Sequence, residues 1–328
     1  MAIRCQPCQA VLGAEVEGVD LRQAPDAATI DVLEEALERY GVLIFHAQHL
    51  TPEEQVAWSR AFGPLAMTRG TETRLPNCPE IFVVGNTIDP PVTFSPSTEH
   101  DELEWHSDHI HLEVPARASL LYARAVPQQG GDTLFACMYT AYDTRSPEQK
   151  AAYDELRVMH SLSGLRAYLQ QQHHAEAAQQ RQAQPDPVVV RPLVRRHPRS
   201  GRKALYFGNQ VSIGIVGWPE DRARGFIRQL TTHACQPAYQ YRHRWRVGDA
   251  VLWDNRRVLE AVWKQSLYKR RLYVICGARL RTDILDNRSL AMLLEISKGL
   301  IYQTLVSGQP LRASRPGSDP GVRGQGRA

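Results

Sequence analysis

The chain has 328 residues, 43% of them hydrophobic and 23% charged. That is the composition of one large globular domain or two small ones, not of a disordered or collagen-like polymer. Its 39 Lys and Arg against 35 Asp and Glu leave a net charge of +4, too mild by itself to argue for nucleic acid or a membrane surface as a partner.

Apolar runs such as Gly41 to Phe45 are strand-sized, far short of the roughly 18 residues a membrane span needs. Met1 to Cys8 lacks the apolar stretch of a secretory leader. Six cysteines in a chain this long make no disulfide framework. A cytoplasmic protein is expected, with neither nucleic acid nor membrane among its partners.

Residues 9–20 read as a short extended segment. Ile30, Leu33, Leu37 and Tyr40 share one face at helical spacing, and Gly41 is placed to end that helix. Val42 to Phe45 reads as a buried strand. Thr51 as N-cap, Pro52 in the first turn and Glu54 closing a capping box start a second helix, which stops before Gly63 and Pro64. Glu80 to Gly85 is a strand, and 86–104 a long loop. Ser119 to Arg124 and Thr133 to Ala136 are strands joined through Pro127, Gly130 and Gly131. Ser146, Pro147 and Glu148 open a helix, and 165–187, rich in Gln, Ala and His, is expected as a surface helix with an irregular tail.

Further on, Arg196 to Phe207 reads as a hairpin turning at Pro198 to Gly201. Pro219 to Thr232 is an amphipathic helix, Tyr239 to Trp245 alternates, Ala250 to Trp253 is a strand, and Arg271 to Cys276 is the last clear strand. Apolar Leu293, Leu294, Ile296 and Leu300 suggest a helix over 290–305 that packs on the body of the protein or on another subunit, so a homo-oligomer is one expectation. Past Arg312 the chain is mostly Gly, Pro, Ser and Arg, which predicts disorder. One domain over 1–285, a helical extension over 286–312 and a disordered tail over 313–328 follow. Many short strands with helices early and in one central insert predict an antiparallel barrel or sandwich, mainly β with flanking helices.

The first residues with chemistry are Trp105, His106, Ser107 and Asp108. On a strand, His106 and Asp108 would face the same way and reach one metal ion. An imidazole and a carboxylate are two thirds of the facial triad of non-haem iron oxygenases, but with 12 His in the chain the pair alone is a weak sign. His106, His109 and His111 also admit a zinc reading, against which stands the lack of a second Cys or His cluster to close it. Cys5 and Cys8 have no partner pair and read as incidental. Gly130 to Ala136 is sufficiently explained as a turn and a strand. Arg270 and Arg271 would face opposite ways on a strand, so one points inward, where a guanidinium needs an anion such as a carboxylate.

Taken in order, these pieces resemble the Fe(II)- and 2-oxoglutarate-dependent dioxygenases of the taurine dioxygenase and chlorophenoxyacetate dioxygenase group. The resemblance runs from about Gly13 to Ala278. It rests on Gly13 to Val16, Gly18 to Leu21, Gly41 to Phe45, Leu50 to Glu53, Phe62 to Leu65, Trp105 to Asp108, Gly130 to Phe135, His197 to Leu205, Gly248 and Asp249, Trp253 to Arg256, and Arg270 with Arg271. It implies a double-stranded β-helix, or jelly roll, with flanking helices. It also implies Fe(II) as cofactor, with 2-oxoglutarate and O2 as co-substrates and a small organic molecule as substrate. His106 and Asp108 would be metal ligands, and Thr133 and Arg271 would hold the distal carboxylate of 2-oxoglutarate. The implied reaction splits 2-oxoglutarate into succinate and CO2 while oxidising a C–H bond of the substrate.

The chain departs from this pattern in two places. The family's third ligand is a His five residues after the Asn of the Trp-Asp-Asn-Arg segment. Here that position is Glu260, and the last His of the chain is His243. Either Glu260 ligates the metal, giving a one-His-two-carboxylate site that favours harder ions, or the chain is an impaired paralogue that binds 2-oxoglutarate or serves as a partner subunit. A third possibility is that Glu260 pairs with Arg256 or Arg257 at the surface. The arginine that binds sulfonate in taurine dioxygenase corresponds to Ile275, which argues for a less acidic substrate. Glu102 is either a contact for an amine-bearing substrate or a solvated loop acid.

Overall fold

The computed structural model describes residues 2–67, 74–75, 77–85, 105–126, 131–164, 167, 186–262, 272–275 and 280–281. The expected loop at 86–104, most of the expected helix at 165–187, the extension at 286–312 and the tail at 313–328 lie outside the described residues. The first strands are Arg4–Pro7 (β1), Ala14–Glu17 (β2), Val42–Phe45 (β3), Arg74–Leu75 (β4), Cys78–Gly85 (β5), Ala116–Tyr122 (β6) and Thr133–Cys137 (β7). Next come Arg157–His160 (β8), Val189–Pro192 (β9), Val194–Arg196 (β10), Lys203–Leu205 (β11) and Ser212–Ile215 (β12). The last are Gln240–His243 (β13), Ala250–Asp254 (β14), Val258–Val262 (β15), Leu272–Ile275 (β16) and Leu280–Arg281 (β17). The helices are Ala27–Tyr40 (α1), Pro52–Arg60 (α2), Met138–Asp143 (α3), Pro147–Asp154 (α4) and Glu220–Ala234 (α5).

Local chemistry sets the helix ends. The Asp26 side chain accepts from the Thr29 N–H at α1, and Gly41 closes that helix with φ 74°, its N–H donating to the Leu37 carbonyl at 2.8 Å. A left-handed residue there favours glycine, and a Cβ would also come within 2.9 Å of Leu12 Cδ2. Thr51 and Glu54 form the reciprocal capping box of α2 with Pro52 in its first turn. Ser146 and Gln149 do the same for α4, with Pro147.

The large sheet runs β1-β2-β3-β14-β6-β16-β5-β4, with β17 also on β6. Its central strands are buried on both faces. On β3, Leu43 and Phe45 join a core with Leu33 and Leu37 of α1 and Val56 and Trp58 of α2, while Val42 and Ile44 face the other way. On β14, Ala250 and Leu252 go with the helices, and Val251 and Trp253 with the opposite core. That second core is closed by Phe135 and Cys137 of β7, Val258 and Leu259 of β15, and Ile227 and Leu230 of α5. Here β7 is the middle of a small sheet, β13-β7-β15. The metal-site candidates lie where this small sheet meets β6 and β14.

Most expected strands and helices are present, with ends shifted by a few residues. Strands β1, β4, β8, β9, β12, β15 and β17 and helix α3 are not among the expected elements. In β15, Val258, Leu259 and Ala261 are all buried, so the segment shows no alternation and carries no period-2 signal.

Candidate metal centre

His106 does not sit in a regular strand, so the strand argument that pairs it with Asp108 is replaced by another geometry. It forms an isolated antiparallel bridge to Glu260 of β15. The His106 N–H donates to the Glu260 carbonyl at 2.9 Å, and the Glu260 N–H returns a bond to the His106 carbonyl at 2.8 Å. In such a pair both side chains leave on the same side. After the bridge the chain turns over Asp108 to His111, with His109 in the left-handed region at φ 54°. That turn brings Asp108 back beside His106.

The three side chains converge. His106 Nε2 lies 3.5 Å from Glu260 Oε1. One ligand atom from each of His106, Asp108 and Glu260 falls within 4.8 Å of the others, and among the described residues no other such group of three or more His, Cys, Asp or Glu occurs. The His106 and Glu260 side chains retain 26% and 12% exposure, enough for a small ligand to enter, whereas Asp108 is buried. The zinc alternative is not assembled: His109 and His111 pack edge to face on each other instead. Nor does Glu260 make the surface ion pair considered for it. Arg256 grips Asp254 with Nε to Oδ1 at 2.8 Å and Nη2 to Oδ2 at 2.7 Å. Arg257 is buried, donates to the Glu38 carbonyl and to Cys137 Sγ, and lies over the Tyr139 ring.

Asp108 is held from the strands behind it. Ser119 Oγ of β6 donates to Asp108 Oδ2 at 2.6 Å, and Asn255 Oδ1 accepts from the Asp108 N–H at 3.3 Å. Asn255 Nδ2 donates to Ser119 Oγ at 2.8 Å, and Trp253 Nε1 donates to Asn255 Oδ1 at 3.0 Å. Ser107 Oγ adds a bond to the Asn255 carbonyl at 2.8 Å. Sequence reasoning did not single out Ser119. Its only signal is a lone serine beside the apolar Ala118, Leu120 and Leu121 of β6.

Thr133 opens β7, where Phe135 is the register partner of Glu260. Residues two apart on a strand, and directly paired residues, share a face, so Thr133 and Glu260 lie on the same face one pleat repeat apart. Trp245 Nε1 donates to Thr133 Oγ1 at 3.0 Å. Arg271, Glu102 and the side chain of Ile275 lie outside what the structure describes.

Two buried anchors underlie this region. At Asp254, burial pushes the carboxyl up, but the Arg256 charge and the hydrogen bonds from Arg256 and His197 outweigh it and hold the group well below the usual carboxylate range. His197 Nε2 lies 2.9 Å from Asp254 Oδ2 with both side chains fully buried. Asp249 bridges His46 and His243, at 2.7 and 3.1 Å, and takes the Arg246 N–H at 2.9 Å. Both acids belong to motifs noted in the sequence, and both serve architecture here.

A family model described as taurine catabolism dioxygenase TauD, TfdA family matches residues 4–259, ending one residue before Glu260. The (S)-phenoxypropionate/alpha-ketoglutarate-dioxygenase of Sphingobium herbicidovorans is 34% identical over 297 residues, 87% of this chain and 97% of that protein. The alpha-ketoglutarate-dependent 2,4-dichlorophenoxyacetate dioxygenase of Cupriavidus pinatubonensis is 34% identical over 280 residues, 83% of this chain and 96% of that protein. Among solved structures, AAD-2 in complex with Mn(II) and N-oxalylglycine superposes with a TM-score of 0.68 at 29% identity, covering 86% of this chain and 98% of that one.

Proposed function

The chain belongs to the TauD, TfdA family of Fe(II)- and 2-oxoglutarate-dependent dioxygenases, and we propose that it oxidises a C–H bond of a small organic substrate at a metal held by His106, Asp108 and Glu260. The observation that carries this reading is the convergence of those three ligand atoms within 4.8 Å of one another. One imidazole nitrogen and two carboxylate oxygens fit a divalent first-row ion, and the second carboxylate favours harder ions such as Mn(II) alongside Fe(II). Once bound, the iron supplies O2 activation coupled to oxidative decarboxylation of 2-oxoglutarate.

The chain's own residues do the rest. Glu260 takes the place of the family's distal His, and its backbone bond to His106 sets the spacing of the two ligands. Thr133 has its acceptor side taken by Trp245, so its hydroxyl proton is available to the distal carboxylate of 2-oxoglutarate. By the match of motifs Arg271 supplies the countercharge. The two facing sheets are read as the family's jelly roll, and residues 1–285 as one domain. Ile275 at the sulfonate-binding position argues against a sulfonate substrate. The phenoxyalkanoates named for two relatives make the first panel to try.

The test has two stages. Anaerobic Fe(II) with 2-oxoglutarate should give the weak visible band of the chelate, and a substrate panel should then give stoichiometric succinate. With neither band nor 2-oxoglutarate affinity the reading fails. A band without succinate release from any substrate favours the impaired paralogue.

A further inference from the structure

Resting on the metal site read above, we propose that Trp253, Asn255 and Ser119 form a one-way hydrogen-bond relay that positions Asp108 for metal binding. The direction of every bond follows from donor chemistry. An indole N–H only donates, so the atom of Asn255 that faces Trp253 Nε1 at 3.0 Å is its oxygen. The same oxygen accepts the Asp108 backbone N–H at 3.3 Å. The Asn255 amide nitrogen therefore faces Ser119 and donates to Oγ at 2.8 Å. With that bond accepted, the single hydroxyl proton of Ser119 goes to Asp108 Oδ2 at 2.6 Å. The relay thus ends by offering a donor to the acceptor-only carboxylate that a metal ligand must be.

Its setting makes it rigid. Ser119 and Trp253 are register partners on β6 and β14, in the middle of the large sheet. Ser119, Trp253 and Asn255 are 0%, 1% and 1% exposed, so water cannot replace a lost partner and each missing bond leaves a buried polar group unsatisfied. His106 sits on an isolated bridge and Asp108 on the turn after it, and turns are less precise platforms than strands. The relay transfers the position of the sheet to Asp108, as the backbone bridge to Glu260 does for His106. Asn255 grips this segment a second time through its carbonyl, which accepts from Ser107 Oγ. These are positioning residues: they act on the metal only through Asp108.

The experiment uses the full chain stripped of metal. Mn(II) affinity is measured by titration and the Co(II) visible bands are recorded for wild type, Asp108→Ala, Ser119→Ala, Ser119→Thr, Asn255→Ala and Leu37→Ala. Removing outer partners of a ligand costs about 10–100-fold in metal affinity. That loss, with altered Co(II) bands, is expected for Ser119→Ala and Asn255→Ala. Ser119→Thr, which keeps the hydroxyl, should lose less than the about 10-fold that marks a missing partner. Leu37→Ala, in the core against the helices, lowers thermal stability but should leave the bands unchanged, separating destabilisation from positioning. Should Ser119→Thr not fold, Asn255→Ala decides. Wild-type affinity and bands in Ser119→Ala and Asn255→Ala, while Asp108→Ala loses the metal, overturn the relay alone. Equal metal binding by wild type and Asp108→Ala instead overturns the metal-site reading on which it rests.

Discussion

His106 and Glu260 are joined twice through their main chains, N–H to carbonyl at 2.9 and 2.8 Å, and once more through their side chains, 3.5 Å from imidazole to carboxylate. Residues distant in sequence are thereby set side by side by backbone bonds that do not depend on which side chain occupies position 260. A bridge of this kind tolerates a change of donor at the third ligand position, because the backbone delivers whatever side chain is there to the same place.

Glu260→Ala should weaken Mn(II) or Fe(II) binding by more than the about 10–100-fold typical of losing an outer partner, because a direct ligand is removed. Glu260→His, on the same bridge, should keep the metal and shift preference from harder ions toward those that favour imidazole. Anaerobic metal titration of both variants checks this. Unchanged affinity in Glu260→Ala would mean that the carboxylate is a bystander.

Much of this site was legible in the sequence, but through different kinds of signal. His106 and Asp108 stand close together with a tryptophan before them, and the motif order picks out Thr133. Glu260 was legible only as a departure, since β15 is buried on both faces and gives no alternation to mark it as a strand. The same-face argument for His106 and Asp108 assumed a strand, and the chain reaches the same end by a bridge and a turn. Ser119 was hidden because a lone serine beside apolar residues looks like ordinary composition. Its meaning comes from Trp253 lying opposite it in register, a long-range pairing that no local pattern encodes.

Thr133→Val should weaken 2-oxoglutarate binding. It removes the hydroxyl proton proposed for the distal carboxylate and the oxygen that accepts from Trp245 Nε1. A lost hydrogen bond to a charged group is worth about 1.5–3 kcal/mol, which corresponds to a dissociation constant raised about 10–100-fold. Thr133→Ser should restore most of it. Fluorescence or calorimetric titration with 2-oxoglutarate in the presence of Mn(II) reads the difference, and equal affinities for all three proteins would remove Thr133 from the co-substrate site.

Arg271→Ala should cost far more 2-oxoglutarate affinity than Arg270→Ala. Neighbours on a strand face opposite ways, and breaking a buried charge pair by removing one partner costs about 3–5 kcal/mol, against about 0–1 kcal/mol for an exposed pair. The same titration compares the two variants. A larger loss for Arg270→Ala would reverse the assignment.

His160 carries a prediction about stability and pH. It is fully buried on β8, its Nδ1 lies 3.1 Å from Ser212 Oγ, and Nε2 has no hydrogen-bond partner among the described residues. Burial first, then the nearby charges of Arg191, His111 and Arg195, push the imidazole down to about 3. In the unfolded chain the group titrates near its ordinary value of about 6.5. Between those values the unfolded state holds a proton that the folded state refuses, so the unfolded state is favoured as pH falls. Stability is complete above about pH 6.5 and declines below it by up to about 1.4 kcal/mol per pH unit from this group. His160→Asn keeps a polar partner for Ser212 but cannot titrate. Urea unfolding at pH 7 and pH 5 should show wild type losing about 2 kcal/mol more than the variant over that interval. The comparison of slopes is unaffected by whatever the substitution costs at pH 7. Parallel slopes would mean that His160 takes up its proton in the folded protein as readily as in the unfolded chain.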